Sequence, residues 1–464
     1  MKRSLLLFGL LTAMVITLAG CGGGSAAASG GMGSGSNQSA VFVTGEDAPL
    51  PSVVGFNITL NSITLANSSG SVTVLSTPTT VDFGRLMGLR SLLGFNTVAA
   101  GTYTSATFTL ANPVIDYVNL STNPPSLGTL NGTLTSSTVT VAFPTGHPLV
   151  VSSNGLAGLH MDFDLRDSLQ LDSTGQITGV VNPMIFIQAV SASDEAGQIT
   201  DFTGGLISTN VAGNSFVMQG PWGFQETIEV NSQTQYNGSF SLASLPADGI
   251  ISVMGTVQLD GSILASAVEV VTTDKAFISG RVLQVNPSSG PVQSITMYIG
   301  EELPVLSGNF ARGQVVTLDV SQVSNYDVCF FNNWLTSWIF NNTSVVAGQR
   351  IFVGGTWDSS SALLTPDMIS LRRQGVVGQL VANSVVVNNN NQGSFQLQNN
   401  GLLGWVAQGP FTVNTSNSTN FVNINGLAGL SSAGTASIVA DGLALKDPVS
   451  GEPQVYAHRV AVLQ

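Results

Sequence analysis

From about residue 40 onward, apolar and polar positions alternate with a period of two, and turn residues break the alternation roughly every eight to twelve positions. "VVGFNITLNSITL", "GTYTSATFTL", "SSTVTVAFP", "GIISVMGTVQL" and "GQRIFVGGTW" are such runs, rich in Val, Ile, Thr and Phe. β-branched and aromatic residues suit a pleated, half-buried surface, so these runs predict strands and hairpins. Helical periodicity is nearly absent. The exception is "DFGRLMGLRSLLGFN", where Leu86, Leu89, Leu92 and Leu93 would share one face of a short helix behind Asp82. The predicted class is all-β.

At 464 residues the chain exceeds one sandwich, so several domains are expected. The first would span 40–192 as a β-sandwich-like unit, followed by the linker "SASDEAG". Beyond it three segments begin alike: "GGLISTNVAGNSFVMQ" at Gly204, "SGRVLQVNPSSGPVQSITM" at Ser279 and "VGQLVANSVVVNNNNQGSFQLQ" at Val377. Each later carries a glycine (Gly249, Gly348, Gly434) before an apolar strand, and each closes on another strand. Repeats of roughly 90 residues are too long for a solenoid unit. They predict about three small β-barrel or sandwich repeats, at 200–274, 275–373 and 374–464.

The first unit runs through an Asp-Ala-Pro opening (Asp47 to Pro49), the Gly-x-Tyr strand at Gly101, the Asp-Phe-Asp segment at Asp162 and a final strand near Asn182-Pro183. In that order it resembles the lipoprotein domain catalogued as domain of unknown function 4382, which implies an extracytoplasmic β-domain and no mechanism. The later segments resemble the repeats catalogued as domain of unknown function 5666. The match is clearest in the first repeat. The second is interrupted around "LPVLSGNFARGQVVTLDV", and the third has Ala440 where the central motif ends in glycine.

The amino terminus reads "MKRSLLLFGLLTAMVITLAGC". Lys2 and Arg3 precede an apolar run from Leu5 to Leu18, shorter than the about twenty residues that span a bilayer but suited to a secretory leader, residues 1–20. Leu18-Ala19-Gly20-Cys21 resembles the lipobox of bacterial lipoproteins. That resemblance implies a diacylglycerol on the Cys21 thiol, cleavage before it and acylation of the new amine. Palmitate would then be among the chains that hold the protein to the membrane. Gly22, where inner-membrane retention uses Asp, implies the outer membrane, facing the periplasm or the cell surface. The competing reading is an ordinary signal peptide cut near Ala26 to Ala28. Residues 21–39 form a Gly/Ser tether.

Charge narrows the partners. The chain has 13 basic and 26 acidic residues, a net charge of −13, and only 8% charged residues. Such a body should bind neither nucleic acid nor an anionic bilayer surface through its charge. With Cys21 acylated, Cys329 in "DVCFFNN" has no cysteine left to pair with, and its aromatic neighbours predict a buried core thiol.

Catalytic chemistry is sparse. His147, His160 and His458 are the three histidines, His147 in a "PTGHPLV" turn, and neither a G-x-S-x-G elbow nor an H-E-x-x-H helix occurs. "GEELP" at Gly300 reads as an exposed turn, and Glu226 and Glu229 would face opposite sides of a strand, so neither offers the paired carboxylates of a glycosidase. In "HMDFDLRDSLQLD", Asp162 and Asp164 fall in phase with His160. They could hold Ca²⁺, or simply form a solvated polar face. "VCFFNNWLTSWIFNNTS" gathers Phe330, Phe331, Trp334, Trp338 and Phe340; Trp334 and Trp338 could stack on a carbohydrate or plug a small barrel. The Asn/Gln-rich "VVVNNNNQGSFQLQNN" predicts a hairpin loop. The reading is a non-catalytic, lipid-anchored envelope protein that binds or displays, with a carbohydrate or protein ligand and no resident cofactor. The alternative is a metal-dependent secreted hydrolase or accessory domain using the Asp162–Asp164 region.

Overall fold

The structure, a computed structural model, describes residues 39–464 apart from 49, 120–121, 123–125, 221–224, 274–275, 305, 330–338, 400–408 and 464. The leader, Cys21 and nearly all of the tether lie outside the described residues, as do Phe330, Phe331, Trp334 and Trp338. The fold is all-β.

The chain opens with a two-sheet sandwich. In one sheet β1 (Ser39–Ala48) is central. It pairs antiparallel with β3 (Ser91–Val98) and parallel with β5 (Leu156–Asp164), and β5 pairs in turn with β6 (Ile185–Val190). The other sheet is built on the long antiparallel pair β2 (Val53–Asn67) and β4 (Ser105–Asn119), flanked by short strands on both sides. Alternation sets which residues meet between the sheets: Met161, Phe163 and Leu165 point inward, and Phe163 stacks at 5.2 Å on Phe56 and 5.1 Å on Phe83.

Three further sheets share one order. The first holds β7 (Ile199–Asn210), β8 (Ser215–Gln219), β9 (Gln225–Glu229), β10 (Ile250–Val257) and β11 (Ile263–Thr272). Its pairings run β7-β8-β9-β11-β10 and return from β10 to β7, with β9 and β11 parallel, so the sheet closes into a five-stranded barrel. The second uses β12 (Ala276–Asn286), β13 (Ser294–Leu303), β14 (Val315–Asp319), β15 (Arg350–Asp358) and β16 (Leu363–Leu371) in the order β14-β13-β12-β15-β16. No ladder joins β14 to β16 among the described residues. The third closes again through β17 (Gln374–Leu380), β18 (Gln392–Gln398), β19 (Phe411–Thr415), β21 (Pro453–Val462) and β20 (Ser437–Lys446). This is the Greek-key order of OB-type barrels. Closure removes exposed sheet edges, the places where chains add strands to one another. Gly348 and Gly434, at φ +93° and +61°, make left-handed turns into the fourth strand of the second and third barrels.

The modules are packed together. Phe42, Leu92 and Val190 of the sandwich join the core of the first barrel, and Leu443 and Leu445 of the third join that of the second. A separate cluster, Ile250 and Val271 with Phe277, Phe352 and Met368, seals the first barrel to the second.

Two expectations are corrected. "DFGRLMGLRSLLGFN" is no helix: it forms a single 3₁₀ turn at Phe83–Arg85 and then β3. Gly84 lies so close to β2 that a Cβ would stand 2.9 Å from Gly55 Cα, and Gly88 has φ +69°, which ends any helical run. The four leucines are still buried, but Leu93 faces the sandwich and Leu92 the first barrel, as alternation along a strand requires. "GEELP" is not an exposed turn either; Glu301 is buried within β13. Cys329 is a buried thiol, and the Asn/Gln-rich segment is a hairpin of Val386–Asn389 with β18, turning at Asn390 (φ 50°).

Candidate functional site

The alternation that sends Met161 and Phe163 inward sends His160 to the other face of β5, where it is covered rather than solvated. On that face β1 contributes Thr44 and Glu46, Arg90 comes from just before β3, Glu195 and Ala196 from the linker, and Arg459 from β21. Arg459 NH1 lies 2.6 Å from Glu46 Oε1, and its Nε 3.4 Å from Glu195 Oε1. Arg90 NH1 is 3.7 Å from Glu46 Oε2 and 3.6 Å from Glu195 Oε1. Asn420 Nδ2 donates to Glu195 Oε2 at 2.7 Å. Two carboxylates therefore face two guanidiniums, and the linker "SASDEAG" is pinned at this junction of sandwich and third barrel.

His160 completes the cluster. Thr44 Oγ1 donates its one proton to the Ala196 carbonyl at 2.9 Å, so the 3.0 Å contact with His160 Nδ1 makes that ring nitrogen the donor. Nε2 then presents its lone pair toward Glu46 Oε2, 3.8 Å away. Burial lowers the His160 pKa to about 4; Glu46 opposes the shift while Arg90 and Arg459 add to it. The ring is thus neutral at pH 7, and the two-against-two charge balance holds. Burial also pushes against ionisation of Glu46, but the charges of Arg459 and Arg90 outweigh it and hold its carboxyl below the ordinary value.

Hydroxyl, imidazole and carboxylate in a row imitate a nucleophile, its base and an orienting acid. Thr44, however, is fully buried and its proton is already committed. A group that can neither be reached nor deprotonated in place cannot attack a substrate. The arrangement is a structural joint.

Similar joints occur at the other module contacts. Arg372 NH1 meets Glu269 Oε2 of the first barrel at 2.7 Å, its NH2 meets Ser252 Oγ at 3.2 Å, and its guanidinium sits 4.2 Å above the Phe352 ring. Arg373 pairs with Asp441 and lies 3.2 Å from His458 Nδ1. Glu301 of the second barrel takes Arg85 of the sandwich at 3.2 Å and Arg350 at 3.5 Å. Tyr298 donates to Asp116 Oδ2 at 2.8 Å.

Asp162 and Asp164 fall near the end of β5, Asp162 half-buried and Asp164 buried. Asp164 caps a helical turn, Leu165–Ser168: Oδ1 accepts from Asp167 N at 3.0 Å and Oδ2 meets Arg166 at 3.5 Å. Asp47 lies close by, and burial together with the Asp162 charge raises its pKa well above the ordinary carboxylate value. Among the described residues no group of three or more His, Cys, Asp or Glu side chains is arranged to hold a metal ion.

Sequence reasoning missed Glu46, Arg90, Glu195, Arg372, Glu269 and Arg459. A signal existed: ten of the 13 basic residues are arginine. Arginine is the cation of buried, bidentate pairs, whereas a solvated surface usually mixes in lysine.

Fold and joints together define a β-sandwich followed by three five-stranded units of one strand order, the first and third closed into barrels, knit by buried ion pairs. Residues 39–179, nearly the whole of the sandwich, match the family model described as Domain of unknown function (DUF4382). No curated protein matches the chain.

Proposed function

We propose that this chain is a non-catalytic binding or display protein of the cell envelope, held by lipid on Cys21 and probing its surroundings with three barrel repeats. The observation that carries the reading is the use of its reactive-looking groups. Thr44, His160, Glu46, Arg372, Glu269 and Asp441 are buried in contacts between modules, so rigidity is what they provide. A rigid body on a Gly/Ser tether suits presentation of a surface. OB-type barrels are used elsewhere to bind oligosaccharides and oligonucleotides across a strand face. The acidic body disfavours the latter, which leaves a carbohydrate or a protein ligand, bound without a cofactor. The shared strand order also supports reading the barrels as repeats like those of domain of unknown function 5666. Outer-membrane placement rests on the lipobox and Gly22 alone.

The test has two arms on the full chain. Radioactive palmitate should label the wild type and not Cys21→Ser; equal labelling of both refutes the anchor. On a glycan array, Trp334→Ala with Trp338→Ala should abolish binding without changing the melting temperature. Binding that survives the double substitution, or loss of the fold, removes those residues from a ligand site.

A further inference from the structure

Where the sandwich meets the second and third barrels there is a cleft with a free volume of about 40 Å³, lined by Val53, Val54, Arg281, Gln374, Gly375 and Asn399 among others. At roughly 10–15 Å³ per water centre, that is room for about three waters, or for one small anion.

One arginine of this cleft faces another arginine and not a carboxylate. Arg281 on β12 stands directly opposite Arg350 on β15 in the antiparallel ladder, and like charges in that position repel. Arg350 is already answered by Glu301, which also serves Arg85. Glu301 therefore answers Arg350 and Arg85, and not Arg281. Among the described residues the guanidinium of Arg281 makes one hydrogen bond, NH2 to the Gly375 carbonyl at 3.5 Å, a long bond that uses one of its five N–H groups. Among the described residues no carboxylate lies within ion-pair distance of it. In a chain of net charge −13, a half-buried arginine left without a carboxylate is an exception to how this protein treats its arginines.

The backbone around it is kept small. A Cβ on Gly375 would stand 2.3 Å from Met87 Cγ and 2.6 Å from its carbonyl oxygen, so glycine there lets three modules converge on the cleft. The apolar wall of Val53 and Val54 lowers the local dielectric, which strengthens any charge-assisted hydrogen bond made inside.

We propose that this cleft binds a small oxyanion, a carboxylate or a phosphate, on the Arg281 guanidinium. Its planar fork matches either group in a bidentate way, and the anion would give Arg281 the counter-charge that none of the described carboxylates supplies. Burial and, after it, Arg350 both oppose the charge on Arg281, and an anion on its fork would favour that charge.

Inorganic phosphate and, separately, acetate are titrated into the full chain at constant ionic strength against chloride, with heat of binding and melting temperature as readouts. At least one probe should bind saturably below about 50 mM. R281M should weaken that binding by at least roughly tenfold, and in chloride alone should melt no lower than the wild type, because an uncompensated charge is gone. R281K keeps the charge without the fork and should bind with intermediate affinity. The tighter of the two probes identifies the anion class. Absence of saturable binding by both, or affinity unchanged in R281M, overturns the proposal. If R281M fails to fold, unchanged affinity in R281K overturns it equally.

Discussion

Arg372→Met is the sharpest test of the joints, because it removes one side of the contact between first and second barrels. Arg372 and Glu269 are both fully buried, with 2.7 Å between NH1 and Oε2. Methionine fills most of the space and keeps the contact with Phe352, so packing loss is small. What changes is Glu269, left as a carboxylate in an apolar setting that also holds Ser252. Breaking one side of such a pair costs about 3–5 kcal/mol. Replacing both partners by apolar residues of similar size costs little, since two desolvation penalties vanish together. Arg372→Met with Glu269→Leu should therefore recover most of the loss, to within about 1 kcal/mol of wild type. Urea unfolding followed by tryptophan fluorescence, with calorimetry to expose separate transitions, measures all four corners of the cycle. A single-variant cost below about 1 kcal/mol, or a double variant as poor as the sum of the two singles, would refute the reasoning.

The His160 joint predicts a pH dependence. Its folded pKa of about 4 lies below the ordinary 6.5, so below pH 6.5 the unfolded chain takes up a proton that the folded chain refuses. Stability is intact above pH 6.5 and falls as pH drops toward 4, by up to about 3 kcal/mol in total. His160→Gln should flatten that slope; wild-type and variant curves that stay parallel from pH 7 to 4 would contradict it. In the sandwich, Phe163→Ala should cost about 3–5 kcal/mol by opening a cavity between Phe56 and Phe83, and a loss under about 1 kcal/mol in urea would show that the sheets close over the gap.

Much of the architecture was written in the period-two pattern, since a strand buried on one face must alternate. The all-β class and the presence of several sheets were legible for the same reason, and so were the buried Cys329 and the Asn-rich hairpin. The leucines of 86–93 misled because leucine at three- and four-residue spacing satisfies a helix and, with a turn between, a strand; Gly84 and Gly88 decided between them. The β5 polar face misled differently. Alternation says that His160 and Asp162 face away from the sandwich core, but it cannot say whether water or another module lies there. Glu46 and Arg459 meet across 413 positions of sequence, a separation that no local pattern encodes.

That separation has a consequence for the making of the molecule. The first described strand lies in the middle of its sheet, yet its parallel neighbour Leu156–Asp164 arrives more than a hundred residues later, and the nearer of the two cations that answer Glu46, Arg459, arrives only with β21. Contacts so distant along the chain are slow to form, because the loop entropy must be lost before they contribute. A growing chain therefore carries Glu46 and Glu195 with only half of their counter-charge until β21 is in place. The junction acts as a late fastening: the sandwich is joined to its third barrel through Glu46 only once the chain has been made as far as Arg459.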